Sequence, residues 1–132
     1  MRFSLLSLAL FLAFACSRPS SEEYFVLKQD APDGVYSFRL DLSDTTVLYD
    51  LSLYIRQDRR DTSGFPLTAL WYKGDSLRFS EELFFPAGRE TAPYRSGVAM
   101  AEPGEWTLSL RPCCPPAGFS GMGLICKRNG TR

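Results

Sequence analysis

The chain has 132 residues, with 15 lysines and arginines against 15 aspartates and glutamates, and it contains no histidine. The balanced charge provides no basic surface for nucleic acid, and the length suits one domain. The lack of histidine removes Ser–His and Cys–His nucleophile pairs, the usual near-neutral general base and the commonest metal ligand. We therefore expect a single domain with no nucleic-acid partner, no metal and no cofactor.

The N-terminal segment has the pattern of an export signal. Arg2 is followed by an apolar run from Phe3 to Ala15 that only two serines interrupt. A short apolar run after a basic start is typical of a secretory signal peptide, and it is shorter than the ~20 residues that a membrane-spanning helix needs. We predict that residues 1–15 are a signal peptide and that cleavage occurs before Cys16.

The sequence Leu12-Ala13-Phe14-Ala15-Cys16 resembles the lipobox of bacterial lipoproteins. In that family the cysteine is acylated, so the resemblance implies that Cys16 anchors the mature chain in a membrane. Two or three acyl chains anchor a protein stably, since each buried CH₂ contributes about 0.8 kcal/mol. Ser17 follows the cysteine, which by resemblance to lipoprotein sorting favours the outer membrane. The chain lacks the lysine and arginine excess that binds anionic lipid, so we expect membrane contact through the lipid alone.

The residues after Cys16 are small and polar and include Pro19, a composition typical of a flexible linker. We predict that residues 16–32 comprise the lipidated cysteine and a flexible tether. The single folded domain is then expected to occupy residues 33–132.

The remainder of the chain alternates apolar and polar residues with a period of two. The clearest example is VYSFRLDL, which begins at Val35. Turn sequences rich in glycine and proline separate these short runs every 8–12 residues or so, a spacing that predicts a single antiparallel β-sandwich of jelly-roll or Ig-like type. The other predicted strands are VLYDLSLYI, LTALWYK, SLRFSEELFF, EWTLSLR and GMGLICKR.

Paired carboxylates are the remaining candidates for catalysis in a chain without histidine. Glu81 and Glu82 are neighbours, and neighbouring residues in a strand point to opposite faces of the sheet. The other acidic pairs lie in predicted loops or turns, where acidic residues are common. We therefore predict a protein that is not an enzyme.

Three cysteines remain if Cys16 is acylated, so at most one disulfide can form among them within one chain. We expect either a structural disulfide that joins Cys113 or Cys114 to Cys126, or free thiols. A strained vicinal disulfide and a soft-metal site are the alternatives that the sequence leaves open.

A charged segment follows the second predicted strand, within the stretch IRQDRRDTSGFP. Its charges are too many to bury without partners, so we expect an exposed loop. Loops held by a rigid sheet commonly form binding surfaces, and arginine is favoured at protein interfaces. We predict that this loop contacts a partner, although a merely solvated loop is the alternative. The candidate binding residues are Arg56, Asp58, Arg59, Arg60 and Asp61.

Several aromatic residues raise the possibility of a sugar-binding face, because aromatic rings can stack on pyranose rings. Aromatic residues in strands more commonly pack in the core or across strands, so we also expect Trp71 or Trp106 in the core. Trp71 and Tyr72 are neighbours, so one of them is expected to be exposed. We include Trp71 among the candidate binding residues, and Tyr94 belongs to the same aromatic set.

The stretch from Tyr49 to Tyr72 resembles the gliding-motility lipoprotein GldH family of Bacteroidota. The matching elements are Tyr49-Asp50, Ile55-Arg56-Gln57, Phe65-Pro66 and Leu70-Trp71, and GEWTLSLRP with AGFSGMGLICKR resembles the closing strands of that family. The resemblance implies an accessory role in gliding and secretion machinery, without catalytic residues.

The sequence thus predicts a non-enzymatic, lipid-anchored protein of the cell envelope that binds other envelope proteins. A surface lipoprotein that binds glycans is the first alternative, and an inhibitor-type envelope lipoprotein is the second.

Overall fold

A computed structural model describes residues 21–57 and 63–131, which form two four-stranded antiparallel sheets packed face to face. The predicted all-β sandwich is confirmed. Two short 3₁₀ turns, Lys28–Asp30 and Pro32–Gly34, connect the first two strands. The strands are β1 Ser21–Leu27, β2 Tyr36–Leu42, β3 Val47–Gln57, β4 Phe65–Lys73, β5 Ser76–Phe85, β6 Thr91–Val98, β7 Gly104–Pro112 and β8 Phe119–Thr131.

The strand order is that of a jelly roll. One sheet, which we call sheet A, has the order β1-β8-β3-β6, and sheet B has the order β2-β7-β4-β5. Each strand of the first half pairs with its counterpart in the second half: β1 with β8, β2 with β7, β3 with β6 and β4 with β5. The chain therefore resembles one long hairpin wrapped into two layers, which is a jelly-roll topology and differs from the Ig-like order.

The core lies between the inner faces of the two sheets, and the period-two pattern explains it. In β2 the buried and exposed residues alternate without exception, with Tyr36, Phe38, Leu40 and Leu42 inside. Both tryptophans are also buried, Trp71 at 3% exposed and Trp106 at 5%. The prediction that at least one tryptophan lies in the core is confirmed.

The predicted tether over residues 16–32 is wrong from Ser21 onward, because these residues form β1. This strand pairs with β8 along its whole length, from Ser21 opposite Lys127 to Leu27 opposite Gly121. The ring of Phe25 stacks on Tyr54 with centroids 5.8 Å apart. A Cβ at Gly121 would collide with the Phe25 ring and lie 2.8 Å from the Val26 carbonyl oxygen. Strand β1 is therefore an integral part of sheet A.

Within residues 21–57 and 63–131, no helix is long and hydrophobic enough to span a membrane.

Candidate binding cleft

The two sheets part at one side of the sandwich, between the edge strands β5 and β6, and leave a cleft of about 670 Å³. Its base is formed by residues of three inner strands, Leu51 of β3, Trp71 of β4 and Trp106 of β7. Phe79 of β5 forms one wall, and Met100 in the segment between β6 and β7 lines the cleft as well. We call this feature the edge cleft.

Trp71 is the centre of an aromatic cluster at the base of the edge cleft. Its ring stacks on Phe79 with centroids 5.7 Å apart and on Tyr94 at 6.3 Å, and it meets Trp106 edge-on at 6.1 Å. The Trp71 Nε1–H donates a hydrogen bond of 2.8 Å to the Tyr94 hydroxyl, which satisfies its polar atom inside the core. Phe79 is 42% exposed, so this ring presents an aromatic face of the cluster to solvent.

Two arginine–glutamate pairs lie at the margins of the edge cleft. Arg78 Nη1 lies 3.0 Å from Glu102 Oε2, and Arg95 Nη2 lies 2.6 Å from Glu81 Oε2. The pair of Arg78 and Glu102 joins β5 to the segment before β7, and the pair of Arg95 and Glu81 joins β6 to β5. Each pair therefore bridges two separate segments at the margin of the edge cleft.

Hydrogen bonding fixes the ionisation of the second pair. The Tyr94 hydroxyl donates a hydrogen bond to Glu81 Oε1, and Arg95 donates to the other carboxylate oxygen. Partial burial alone raises the pKa of the Glu81 carboxyl, but these two donors outweigh it, so the pKa lies below its usual value. Burial and the hydrogen bond to Glu81 raise the pKa of Tyr94 to about 12. The margin therefore carries an ionised carboxylate, a guanidinium and a neutral phenol.

A bulge in β5 directs two consecutive residues into the edge cleft. Trp71 pairs with Phe79 and the next residue of β4, Tyr72, pairs with Leu77, so Arg78 is an extra residue in β5. Neighbouring residues of a regular strand point to opposite faces, yet Arg78 and Phe79 both line the cleft. Bulges commonly re-aim side chains in this way at sheet edges and beside functional sites.

The facing strand, β6, is also bulged beside the edge cleft. Its register against β3 shifts on both sides of Leu51, so β6 contributes one extra residue around Ser96 and Gly97 and a second one at Tyr94. Gly97 has a φ of +63°, which favours glycine. Asp50 holds this bulge: its Oδ1 accepts the Gly97 N–H at 2.7 Å, while its Oδ2 accepts a 2.7 Å hydrogen bond from Asn129. Both margins of the cleft are thus built from irregular edge strands.

The binding residues predicted from sequence do not lie together in the structure. Trp71 lies at the base of the edge cleft, whereas Arg56 is exposed near the end of β3, five residues beyond Leu51 and roughly 16 Å along the strand. The Arg56 carbonyl accepts a hydrogen bond from the Ser120 hydroxyl. The other predicted contact residues, Asp58, Arg59, Arg60 and Asp61, lie outside the described residues, as does Cys16.

The possible disulfide from Cys113 or Cys114 to Cys126 is absent from the structure, in which all three cysteines are free thiols. Cys126 pairs with Glu22 and Leu51 inside sheet A, seven residues or about 23 Å along β8 from its start at Phe119. The other two cysteines follow β7 of sheet B near that start. A disulfide requires Cα atoms about 4.4–6.8 Å apart, so this topology excludes the bridge.

Sequence reasoning named Trp71, Tyr94 and Trp106 as aromatic candidates but missed the charged residues that surround them. Glu81 was considered only as half of an acidic pair, and its neighbour Glu82 indeed points to the opposite face, where it accepts a hydrogen bond from Thr68. The only local signal for the bulges is the glycine in TAPYRSGV. Among the described parts of the chain, no three cysteine or acidic side chains converge in a way that could hold a metal ion.

Comparison with known proteins gives information on the fold alone. No protein-family model matches the chain, and no curated protein matches it. Among solved structures, the crystal structure of tripeptidyl peptidase 2 contains a similar arrangement, with a TM-score of 0.52 and 11% sequence identity over 86% of this chain. The match covers 10% of the peptidase chain. At this identity the similarity concerns the β-sandwich and carries no activity to this protein.

Proposed function

We propose that the protein is a non-enzymatic lipoprotein of the cell envelope that binds another envelope protein through the edge cleft. The observation that supports this proposal most directly is the arrangement around Phe79. A partly exposed aromatic ring lies over a buried aromatic cluster and is flanked by arginine–glutamate pairs. Protein interfaces have the same anatomy, with aromatic residues and arginine at an apolar centre and a polar margin around it.

The edge cleft is large enough to receive apolar groups from a partner. Its volume of about 670 Å³ falls in the range of about 300–1,000 Å³ that is usual for small-molecule sites, which is more than one side chain fills. An apolar anchor placed against Phe79 would displace water from the Trp71 cluster. The guanidinium groups of Arg78 and Arg95 could then pair with carboxylates or carbonyl groups of the partner, since an arginine fork binds such groups with two hydrogen bonds.

The anchor is proposed to be an acylated Cys16 in the outer membrane, as the signal sequence and the lipobox resemblance imply. Strand β1 begins at Ser21, so only five chain steps separate the two, which span at most about 18 Å. The domain would therefore sit close to the lipid surface, and its partner is expected to be a membrane-associated protein. An accessory role of the GldH type is consistent with this placement.

Mass spectrometry of protein extracted from membranes tests the anchor. An N-terminal cysteine carrying acyl chains is the expected result, and Cys16→Ala should leave an uncleaved precursor or a soluble species. An N-terminal cysteine without lipid would rule out this part of the proposal.

Glycan binding is the second candidate function, because Phe79 offers an exposed ring beside charged groups that could donate and accept hydrogen bonds. The burial of Trp71, which is 3% exposed, weighs against it. A sugar ring could stack only on the face of Phe79, which is a small platform for a saccharide.

The proposed site can be tested with two phenylalanines of the same strand. Phe79 lines the edge cleft, whereas Phe84 is 65% exposed and lies outside it. A photo-crosslinking residue placed at position 79 should capture a single envelope protein in cells, and that protein should then be purified. Its affinity should fall at least about tenfold for Phe79→Ala, as expected for an interface anchor, and remain unchanged for Phe84→Ala.

Equal affinity of both variants would show that the edge cleft is not the binding site. If no protein is captured, and a glycan array instead binds the parent but not Phe79→Ala, glycan binding replaces the main proposal.

A further inference from the structure

A pair of adjacent thiols lies at the opposite end of sheet B from the edge cleft. Cys113 and Cys114 follow β7 in the loop before β8, both are exposed, and their Sγ atoms are 3.8 Å apart. In sheet B, Pro112 pairs with Leu67, whereas the cleft residue Trp71 pairs with Leu108. Pro112, the residue before the thiols, is therefore four residues, or about 13 Å, along the sheet from the cleft.

The backbone holds the two sulfurs side by side. Adjacent side chains in an extended strand point in opposite directions, but Cys114 has a φ of +54°, which is uncommon for a residue other than glycine. The Cys113 N–H donates a 2.8 Å hydrogen bond to the Pro66 carbonyl oxygen, and the Phe119 N–H donates one of 3.1 Å to the carbonyl oxygen of Pro116. The first bond ties the start of the loop to β4 and the second closes a turn at the start of β8, while both thiols are exposed.

The two thiols differ from the third cysteine in access and in chemistry. The hydrogen bond with the Cys114 sulfur, and then the charge of that sulfur when ionised, raise the pKa of Cys113. Cys126 is half-buried in β8, and burial raises its pKa to about 11, so it is neutral at physiological pH.

We propose that Cys113 and Cys114 form a site of thiol–disulfide exchange, at which a low-molecular-weight disulfide oxidises the pair to a vicinal disulfide. The Cys114 thiolate attacks one sulfur of the substrate R–S–S–R, forms a mixed disulfide and releases one RS⁻. Cys113 then loses its proton and attacks the Cys114 sulfur, which releases the second RS⁻. The two thiolates take up the two protons, so that two protein thiols and R–S–S–R become one protein disulfide and two RSH.

The product is expected to be easily reduced. Consecutive Cα atoms are about 3.8 Å apart across a trans peptide, whereas disulfide bridges usually join Cα atoms about 4.4–6.8 Å apart. Closing the ring between neighbours therefore strains the chain, and strained, exposed disulfides are the labile ones. The site can cycle between dithiol and disulfide, unlike a structural bridge.

A shallow pocket beside the pair indicates the class of substrate. Pro112 and Pro115, the residues on either side of the two cysteines, line a pocket of about 240 Å³ together with Tyr36 and Lys28. The ammonium group of Lys28 favours a substrate that carries a carboxylate. Oxidised glutathione and cystine are small disulfides of this kind.

The experiment uses the exported protein in buffers with increasing ratios of oxidised to reduced glutathione, followed by alkylation of the remaining thiols. Proteolytic cleavage after Phe119 separates Cys113 and Cys114 from Cys126. With oxidant, the peptide with the adjacent cysteines should lose both alkyl groups and weigh two hydrogen atoms less than its reduced form. Reduced glutathione should restore both alkylation sites.

Two variants complete the test. Cys126→Ala should leave the reaction unchanged, and Cys114→Ser should stop at a glutathione adduct on Cys113. The proposal is overturned if both adjacent cysteines remain alkylated at every ratio. It is equally overturned if oxidation joins either of them to Cys126 or to a second chain. None of these readouts depends on the edge cleft, so this proposal stands or falls independently of the proposed function.

Discussion

Replacement of Trp71 by alanine tests whether the base of the edge cleft is also part of the core. Trp71 is 3% exposed and contacts the rings of Phe79, Tyr94 and Trp106. An aromatic side chain of this kind buries about 150–250 Å². At about 25 cal/mol per Å² this burial corresponds to about 4–6 kcal/mol, and measured truncations of buried aromatic residues cost about 3–5 kcal/mol.

We expect Trp71→Ala to lower the free energy of unfolding by about 3–5 kcal/mol, a large part of the stability of a domain of this size. Trp71→Phe keeps an aromatic ring in the cluster but loses the hydrogen bond to Tyr94, so it should cost less, about 1–2 kcal/mol. The assay is urea denaturation followed by far-ultraviolet circular dichroism. Leu77→Ala, at a residue that is 50% exposed on β5, is the control and should stay within about 0.5 kcal/mol.

A loss below about 1 kcal/mol for Trp71→Ala would refute this reasoning, because a cavity of that size in a packed core cannot be neutral. The aromatic cluster would then not be the base on which Phe79 is held, and the edge cleft would lose its rigid support.

Three further results are expected. Gly121→Ala should destabilise the domain by about 1–3 kcal/mol in urea denaturation, because a methyl group there collides with Phe25 of β1. An unchanged midpoint would show that β1 does not pack against β8 at this position. The pKa of Glu81 is lowered in the folded state, so its stabilising effect is present above its unfolded pKa of about 4.3 and is lost as the pH falls below it. The difference in free energy of unfolding between the parent and Glu81→Gln should therefore shrink as the pH falls from 6 to 3. A constant difference would contradict the lowered pKa. With a pKa of about 11, Cys126 should react with iodoacetamide at pH 8 about two hundred times more slowly than an ordinary thiol of pKa about 8.5, and an equal rate would exclude its burial.

The strands were predictable where one face of a strand is buried and the other is solvated. In β2 the alternation of sequence and burial is complete, because this strand packs on the core with one face and meets water with the other. Strand β1 escaped prediction because it opens with Ser21, Glu22 and Glu23, which are exposed at the edge of sheet A and read as a linker. Its pairing with β8 depends on contacts almost one hundred residues away, which local sequence does not specify.

The state of the cysteines and the position of the cleft could not be predicted for the same reason. The possible disulfide required Cys126 to lie near the end of β7, but in the jelly roll β7 and β8 belong to different sheets, and Cys126 lies far along β8. The edge cleft exists because β5 and β6, consecutive in sequence, also lie in different sheets. Period-two patterning shows which face of a strand is buried and contains no information about the sheet to which the strand belongs.

The register of sheet A relates the two proposed sites to the proposed membrane anchor. Ser21 lies opposite Lys127, which in turn lies opposite Asp50, the residue that holds the bulge of β6 beside the edge cleft. The start of β1 and the cleft are therefore at the same end of the sandwich, three strand spacings or about 14 Å apart.

The loop that carries Cys113 and Cys114 lies at the other end of the sandwich, where Phe119 packs against Tyr36 and Phe65. An acyl anchor at Cys16 would hold the edge cleft close to the lipid surface and direct the two thiols away from it. A partner embedded in the membrane could reach the cleft, while small disulfides in the aqueous phase could reach the thiols. The jelly roll thus allows each proposed site to meet its own class of ligand without interference from the other.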